Sequence, residues 1–244
     1  MTRHPPAGPT ARPPARRGSP SARPGVATVL TVLTVLTVPT GLTAQTPLTI
    51  GRLHYDGGGD WYANPSSLPN LLKEISLRTR LTVTPREKVV TLTDPDLWQI
   101  PYLYMTGHGN VRFGEAELEV LRRYLQQGGF LHADDNYGMD SSIRRELARL
   151  FPDRELVDVP LDHPIYHVVY EFPQGIPKIH EHDGKPAQGL GIFLDGRLVV
   201  YYSYESDLGD GWEDPEVHGD PPGKREAALR MGVNLFAYAV GGRQ

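Results

Sequence analysis

Tyr102–Tyr137, YLYMTGHGNVRFGEAELEVLRRYLQQGGFLHADDNY, is the stretch whose reading decides the fold. It runs through a short apolar segment, a Gly-His-Gly turn, an amphipathic helix, a Gly-Gly stop, a second apolar segment and an acidic turn. Leu118, Leu121 and Leu125 recur at i, i+3 and i+7, one face at 3.6 residues per turn. Gly128 stands where a left-handed C-terminal cap is expected, because glycine meets no Cβ penalty there. The flanking runs Tyr102–Met105 and Phe130–Ala133 are too short for helices and read as strands. A strand–helix–strand unit this tight predicts a right-handed crossover and parallel pairing. Both strands then bring their turns to one edge of the sheet. Gly107-His108-Gly109-Asn110 comes from the first and Asp134-Asp135-Asn136-Tyr137 from the second. In open α/β sheets this carboxyl edge is where ligands bind.

Upstream of this stretch, Leu48–Leu53 reads as the first strand. It feeds His54-Tyr55-Asp56-Gly57-Gly58-Gly59-Asp60-Trp61, which lacks the glycine spacing of a nucleotide loop. Asn64–Arg80 reads as a helix with Leu68, Leu71, Leu72 and Ile75 as its apolar stripe, capped by Asn64 or Ser66. Lys88–Leu92 reads as a strand and Asp94-Pro95-Asp96 as a turn. Downstream, Asp140 is the expected N-cap of a helix Ser141–Phe151, followed by a strand at Leu156–Val159. Ile179–His182, Gly191–Leu194 and Leu198–Tyr204 read as antiparallel strands joined at the Asp183-Gly184 and Asp195-Gly196 turns. Glu205–Asp220 reads as a long acidic loop, and about Lys224–Val240 as a closing helix burying Leu229, Val233, Phe236 and Val240.

The chain has 244 residues, no cysteine and a net charge of -4. The missing cysteines exclude disulfides, thiolate metal sites and a cysteine nucleophile. Residues 1–44 hold five arginines and no acid, so the rest carries 20 basic and 29 acidic residues. An acidic body argues against nucleic acid as a partner. Residues 1–25 are rich in Pro, Arg and Ala and are expected to be disordered. Val26–Val38 has thirteen residues without a charge, short of the roughly 20 that span a bilayer. With Pro39–Ala44 it reads as a signal peptide cut after Ala44, which predicts a secreted or periplasmic protein. A retained leader would be its one membrane attachment. Residues 45–244 are expected to form one α/β domain.

Several residues at the carboxyl edge have the chemistry of a site. Asp134 and Asp135 are adjacent carboxylates at a strand end, suited to holding a divalent cation or to general acid–base work. The bland alternative is one turn cap and one solvated group. His108 lies between two glycines, a poor place for a core histidine, and is a catalytic candidate beside the two aspartates. His54, Tyr55, Trp61, Asn110 and Asp207 are candidate ligand contacts, with the aromatic rings either stacking on a sugar or roofing the core. His180 and His182, two apart, would share a strand face as a metal pair; the alternative is a solvated hairpin end. His163 and His167 read as structural. Asp207, Asp210, Glu213 and Asp214 lack the spacing of a calcium loop. Ser203 and Ser206 lack a nucleophile elbow.

The chain resembles the bacterial family called domain of unknown function 4159. The likeness runs through Leu103–Gly109 (LYMTGHG), Leu121–Asp135 (LRRYLQQGGFLHADD), Asp162–His167 (DHPIYH), Ile179–Gly184 (IHEHDG) and Leu198–Asp214 (LVVYYSYESDLGDGWED). It implies a flavodoxin-like, class I glutamine-amidotransferase-like three-layer core, a mostly parallel sheet with antiparallel hairpins added. A more distant likeness, on Gly128–Leu131, His163-Pro164-Ile165 and Gly196-Arg197, is to trehalose-utilisation-type proteins of the same superfamily. Where amidotransferases carry the nucleophilic cysteine, this chain has Asp134 and Asp135, so thioester glutaminase chemistry is excluded. The family implies no reaction. Two functions follow as expectations. One is binding or hydrolysis of a small polar or carbohydrate-like ligand, with a divalent metal as the candidate cofactor. The other is a non-catalytic module that receives an envelope protein.

Overall fold

A computed structural model describes residues 46–241. The leader read at residues 1–44 lies outside the described residues. Seven strands form one sheet: β1 (Ile50–Leu53), β2 (Lys88–Val90), β3 (Tyr102–Gly107), β4 (Phe130–Asp135), β5 (Val157–Asp158), β6 (Gln188–Leu194) and β7 (Arg197–Tyr204). Their order is β2-β1-β3-β4-β7-β6-β5. From β2 to β7 all neighbours are parallel, and β6 and β5 add on antiparallel. The deciding unit is therefore as expected: β3 and β4 run parallel from Tyr102↔Phe130 to Gly107↔Asp135. The helix between them is α2 (Glu115–Gln126), with Leu118, Leu121 and Leu125 buried, and Gly128 has φ 102°.

The other helices are α1 (Ser67–Arg78), α3 (Asp140–Leu150), α4 (Leu208–Trp212), α5 (Pro215–His218) and α6 (Pro222–Gly241). Strand alternation sends successive side chains to opposite faces. Leu103, Met105, Leu131 and Ala133 pack with the α2 and α3 residues Leu118, Leu121, Ile143 and Leu147. Tyr102, Tyr104 and Phe130 pack with the α1 and α6 residues Leu68, Leu71, Val233 and Phe236. The result is a three-layer α/β fold of flavodoxin type. Among the described residues no helix is long and apolar enough to cross a membrane.

The hairpin at Asp195-Gly196 is real: both residues have positive φ, 48° and 81°, as a type I′ turn requires. The hairpin expected at Asp183-Gly184 is not, and Ile179–His182 is not a strand. Pro177 and Pro186 bracket that segment, and proline cannot donate to a ladder. The Ile179 amide instead donates to Ser206 O (2.9 Å), and Lys224 Nζ donates to Ile179 O (2.7 Å). The supposed acidic loop also differs. It contains α4 and α5, and Trp212 is fully buried with its Nε1 donating to Ala228 O. Asp134 and Asp135 belong to β4 itself rather than to the turn after it. Asp140 is the first residue of α3, not its cap; Asp135 Oδ1 accepts the Met139 amide there at 3.2 Å.

The hairpin depends on Gly189. A Cβ there would fall inside the hydroxyl oxygens of Tyr166 and Tyr201, which face each other at 3.2 Å in the core. Gly189→Ala is expected to cost about 1–3 kcal/mol by overpacking. Urea denaturation checks this; an unchanged midpoint would mean that the two tyrosines move aside freely.

Candidate functional site

The parallel strands β1, β3, β4 and β7 all end at one edge. The α1/α6 face of β4 carries His132 and Asp134, flanked by Tyr102 and Tyr104 on β3 and Ser203 on β7. His132 is fully buried, its ring nitrogens 2.8 Å from Tyr102 Oη and 2.7 Å from Ser203 Oγ. Burial pushes its pKa down to about 3, so it is neutral. Ser203 in turn donates to Asp134 Oδ1. Serine, histidine and aspartate are thus in line, but the serine is wedged between the other two and all three are inside the core. No nucleophile is presented.

Asp134 is an anchor. Its Oδ2 accepts the Gly209 amide (2.6 Å) and Tyr104 Oη–H (3.0 Å), and its Oδ1 accepts the Leu208 amide (3.3 Å) and the Ser203 hydroxyl. Burial pushes the carboxyl up to about 7, against these donors, which favour the charged form. The outcome is mechanical: the end of β4 holds the start of α4 in place, and α4 carries the next layer of the site.

That layer begins at Asp207, whose side chain is 1 % exposed. Its Oδ2 pairs with His182 Nε2 and lies 3.5 Å from His180 Nδ1. Its Oδ1 has no hydrogen-bond partner. Burial, then the Asp210 charge, pushes its carboxyl up to about 7. Asp210 Oδ2 is 2.9 Å from His180 Nδ1, and its Oδ1 accepts from Asn64 Nδ2 at 2.6 Å. Asn64 also accepts from Asn136 Nδ2 at 3.4 Å, which ties the turn after β4 to α4. His218 Nε2 lies 3.0 Å from Glu213 Oε2 and 3.8 Å from Asp210 Oδ2. The two histidines read as a metal pair therefore part company. His182 stacks on Tyr137 at 4.6 Å, whereas His180 gathers with Asp210 and His218.

Beside this cluster is an open cavity of about 270 Å³. Asp135, Asp140, Asp183, Glu205, Tyr137 and Tyr204 are among its walls, with Lys185 donating to Tyr204 Oη at 2.9 Å. Burial raises the Asp135 carboxyl above its ordinary value. Tyr137 is half exposed, and its hydroxyl donates to Asp183 Oδ1 at 3.3 Å.

The remaining candidates form a second group around Gly57–Gly59. His54 stacks on Trp61 at 4.1 Å at the exposed rim. Tyr55 is buried, and its hydroxyl donates to Thr106 O (3.0 Å), so it supports the loop from below. Asn110 Nδ2 donates to Gly57 O at 3.1 Å and its Oδ1 accepts from Arg145, which ties the loop to α3. His108 is exposed, with Nδ1 3.0 Å from Asp60 Oδ2. The His108 amide and ring hold the Asp60 carboxyl below its ordinary value in spite of partial burial.

Backbone strain marks the first group. Five described non-glycine residues have positive φ: Asn64, Tyr137, Asp195, Glu205 and Asp207. Asp195 is in the hairpin turn. The other four surround the cavity and the histidine cluster. A left-handed backbone is uncommon for tyrosine and glutamate and persists only where the surroundings impose it, typically at functional sites.

Asn64, His132, Tyr137, Glu205 and His218 were not read as site residues from the chain alone. Asn64 passes for a helix cap, His132 for strand interior and His218 for solvated loop. A model of the family described as Domain of unknown function (DUF4159) matches residues 49–240. No curated protein matches the sequence.

Proposed function

The chain belongs to the DUF4159 family, a membership that brings no reaction with it, and we propose from the site itself that the domain binds a small hydroxyl-rich, carbohydrate-like ligand. The ligand lies in the cavity at the carboxyl edge, with the His182–Asp207 pair behind its Tyr137 wall. The observation that carries this reading is the cavity lining: two tyrosine rings set among four carboxyl groups and one lysine. Ionised carboxylates only accept hydrogen bonds. They suit a ligand that brings many O–H or N–H donors and repel one that brings phosphate or carboxylate. Tyrosine rings offer flat apolar faces with a polar tip, which match the C–H faces and hydroxyl rim of a sugar ring. At about 270 Å³ the cavity is near the lower end of known ligand pockets, about 300 Å³, and takes one or two such rings.

His182 stacks on the lining residue Tyr137, so the His182–Asp207 pair stands one ring behind the cavity wall. Its role there is to hold the Tyr137 ring as a wall of the cavity, since acid–base work needs a group within hydrogen-bond reach of the reacting atoms or one water away. The leader reading extends the proposal to a secreted or periplasmic setting, where glycans are abundant.

The test is a thermal-shift panel of neutral mono- and disaccharides, amino sugars, sugar phosphates and sugar acids. A ligand at a hundred times its Kd stabilises by about 2.7 kcal/mol, which is roughly 5–10 °C in a domain of this size. Neutral or amino sugars are expected to raise Tm and the anionic sugars are not. Tyr137→Ala and Glu205→Gln should abolish the shift. A panel without a neutral or amino hit, or with equal shifts from sugar phosphates, overturns the reading.

A further inference from the structure

We propose that His180, Asp210 and His218 form a transition-metal site of the zinc type, distinct from the cavity and using none of its lining groups. The first support is spacing. One ligand atom from each residue lies within 4.8 Å of the others. Asp210 Oδ2 is 2.9 Å from His180 Nδ1 and 3.8 Å from His218 Nε2. Metal–ligand bonds of about 2.0–2.1 Å in a tetrahedral site set ligand atoms about 3.3 Å apart. The two separations bracket that value and the third, between the histidines, is no more than 4.8 Å, so a cation draws the three side chains together.

The second support is what lies behind His180 and Asp210; His218 Nε2 faces Glu213 Oε2 at 3.0 Å and would turn from it to the metal. Metal-bound histidines present one nitrogen to the metal and donate from the other to a carboxylate, carbonyl or water. His180 Nε2, on the far side of the ring from Asp210, is 3.2 Å from Asp220 Oδ1. Asp210 is held the same way, its second oxygen accepting from Asn64 Nδ2 at 2.6 Å. His180 thus faces a carboxylate oxygen at each nitrogen. Ionised carboxylates only accept. The ring satisfies both as the doubly protonated cation, or as a neutral imidazole with a metal in place of one proton.

The third support is independent of the triad. Asp207 Oδ2, which pairs with His182, lies 3.5 Å from His180 Nδ1, and the other oxygen of that carboxylate, Oδ1, is buried without a partner. Such an orphan is costly unless something outside the protein meets it. Two imidazoles and a carboxylate suit zinc and its neighbours rather than calcium or magnesium, which take oxygen ligands. Three protein ligands leave a fourth position open for water, the pattern of catalytic rather than structural zinc.

The test uses metal-stripped full chain titrated with zinc by calorimetry, and with cobalt(II), whose visible spectrum reports tetrahedral coordination. One zinc per chain is expected. Asp220→Asn should weaken binding by about 10–100-fold, as for carboxylates behind metal-bound histidines. His218→Ala and Asp210→Asn should weaken it further and abolish the cobalt spectrum, while His182→Ala keeps both. His218 lies at the surface, so its variant should fold, and its melting curve verifies that. Absent stoichiometric binding, equal binding by wild type and His218→Ala, or loss in His182→Ala equal to that in His218→Ala each overturns the proposal. No sugar enters the measurement, so its failure and that of the cavity reading are separable.

Discussion

Asp134→Ala is expected to lower the unfolding free energy by about 3–5 kcal/mol, the scale of leaving two or three buried donors without their acceptor. Four donors converge on this carboxylate: the amides of Leu208 and Gly209 and the hydroxyls of Tyr104 and Ser203. Alanine takes this acceptor from the two amides and the Tyr104 hydroxyl, whereas the Ser203 hydroxyl can turn to Ala133 O at 3.2 Å. Each buried donor without a partner costs about 1–3 kcal/mol, and water entering the space recovers part of that. In a domain of this size the fall in Tm is roughly 10 °C. The damage should spread beyond Asp134, because the lost amide bonds fix the start of α4, which carries Asp210 and follows Asp207. Zinc affinity and sugar-induced stabilisation should therefore fall together in this variant, although Asp134 belongs to neither the triad nor the cavity lining. Denaturation combined with zinc calorimetry checks both. A stable variant with intact zinc binding would show that α4 holds its place without the anchor.

The second large effect is on pH dependence. Burial pushes the Asp134 carboxyl from 3.8 up to about 7. A group whose folded value is raised contributes stability that is fully present below its unfolded value and is lost as pH rises through its folded value. The window is therefore about pH 4 to 7. Asp134→Asn has no proton to lose, so the wild type's advantage over it should shrink as pH rises. Between about pH 5 and pH 8 the narrowing is on the order of 2–3 kcal/mol. Urea melts of both proteins across that range, without added metal, read it out. The competing physics is explicit: if the four donors outweigh burial, the carboxylate stays charged throughout and the gap stays level.

The β3–α2–β4 unit is legible in the chain because its apolar spacing, its Gly128 stop and the shortness of its strands all point the same way. The carboxyl edge follows from the parallel pairing of β3 and β4, so Asp134 and Asp135 are placed there by the sequence; Asp207 arrives because β7, read as antiparallel, runs parallel to β4. Their roles are not legible in the sequence. Asp134 looks like an exposed turn carboxylate until β7 and α4 close over it, and no local pattern announces that closure. His180 and His182 alternate as on a strand, but Pro177 and Pro186 deny that strand a ladder; both rings reach Asp207 Oδ2, and His180 turns further to Asp210 while His182 stacks on Tyr137. Residues 205–220 look like a solvated loop because Gly, Asp and Pro are poor helix formers. Their two short helices are held by tertiary contacts such as buried Trp212, and His218 becomes a neighbour of His180 only through them. Asn64 joins the cluster across 146 positions of sequence, a distance no motif bridges.

The anchor has one more consequence. Two neighbouring backbone N–H groups directed at one anion are the device by which acyl-transfer enzymes stabilise a tetrahedral oxyanion. In this protein the Leu208 and Gly209 amides both meet the Asp134 carboxylate, but each takes a different oxygen, Oδ1 and Oδ2, so they clasp the whole carboxylate rather than share one oxyanion. A negative charge developing on a reacting carbonyl at this edge would find those donors taken and a like charge in their place. Those two amides are therefore committed to holding the start of α4, and an anion arriving from outside does not find them free.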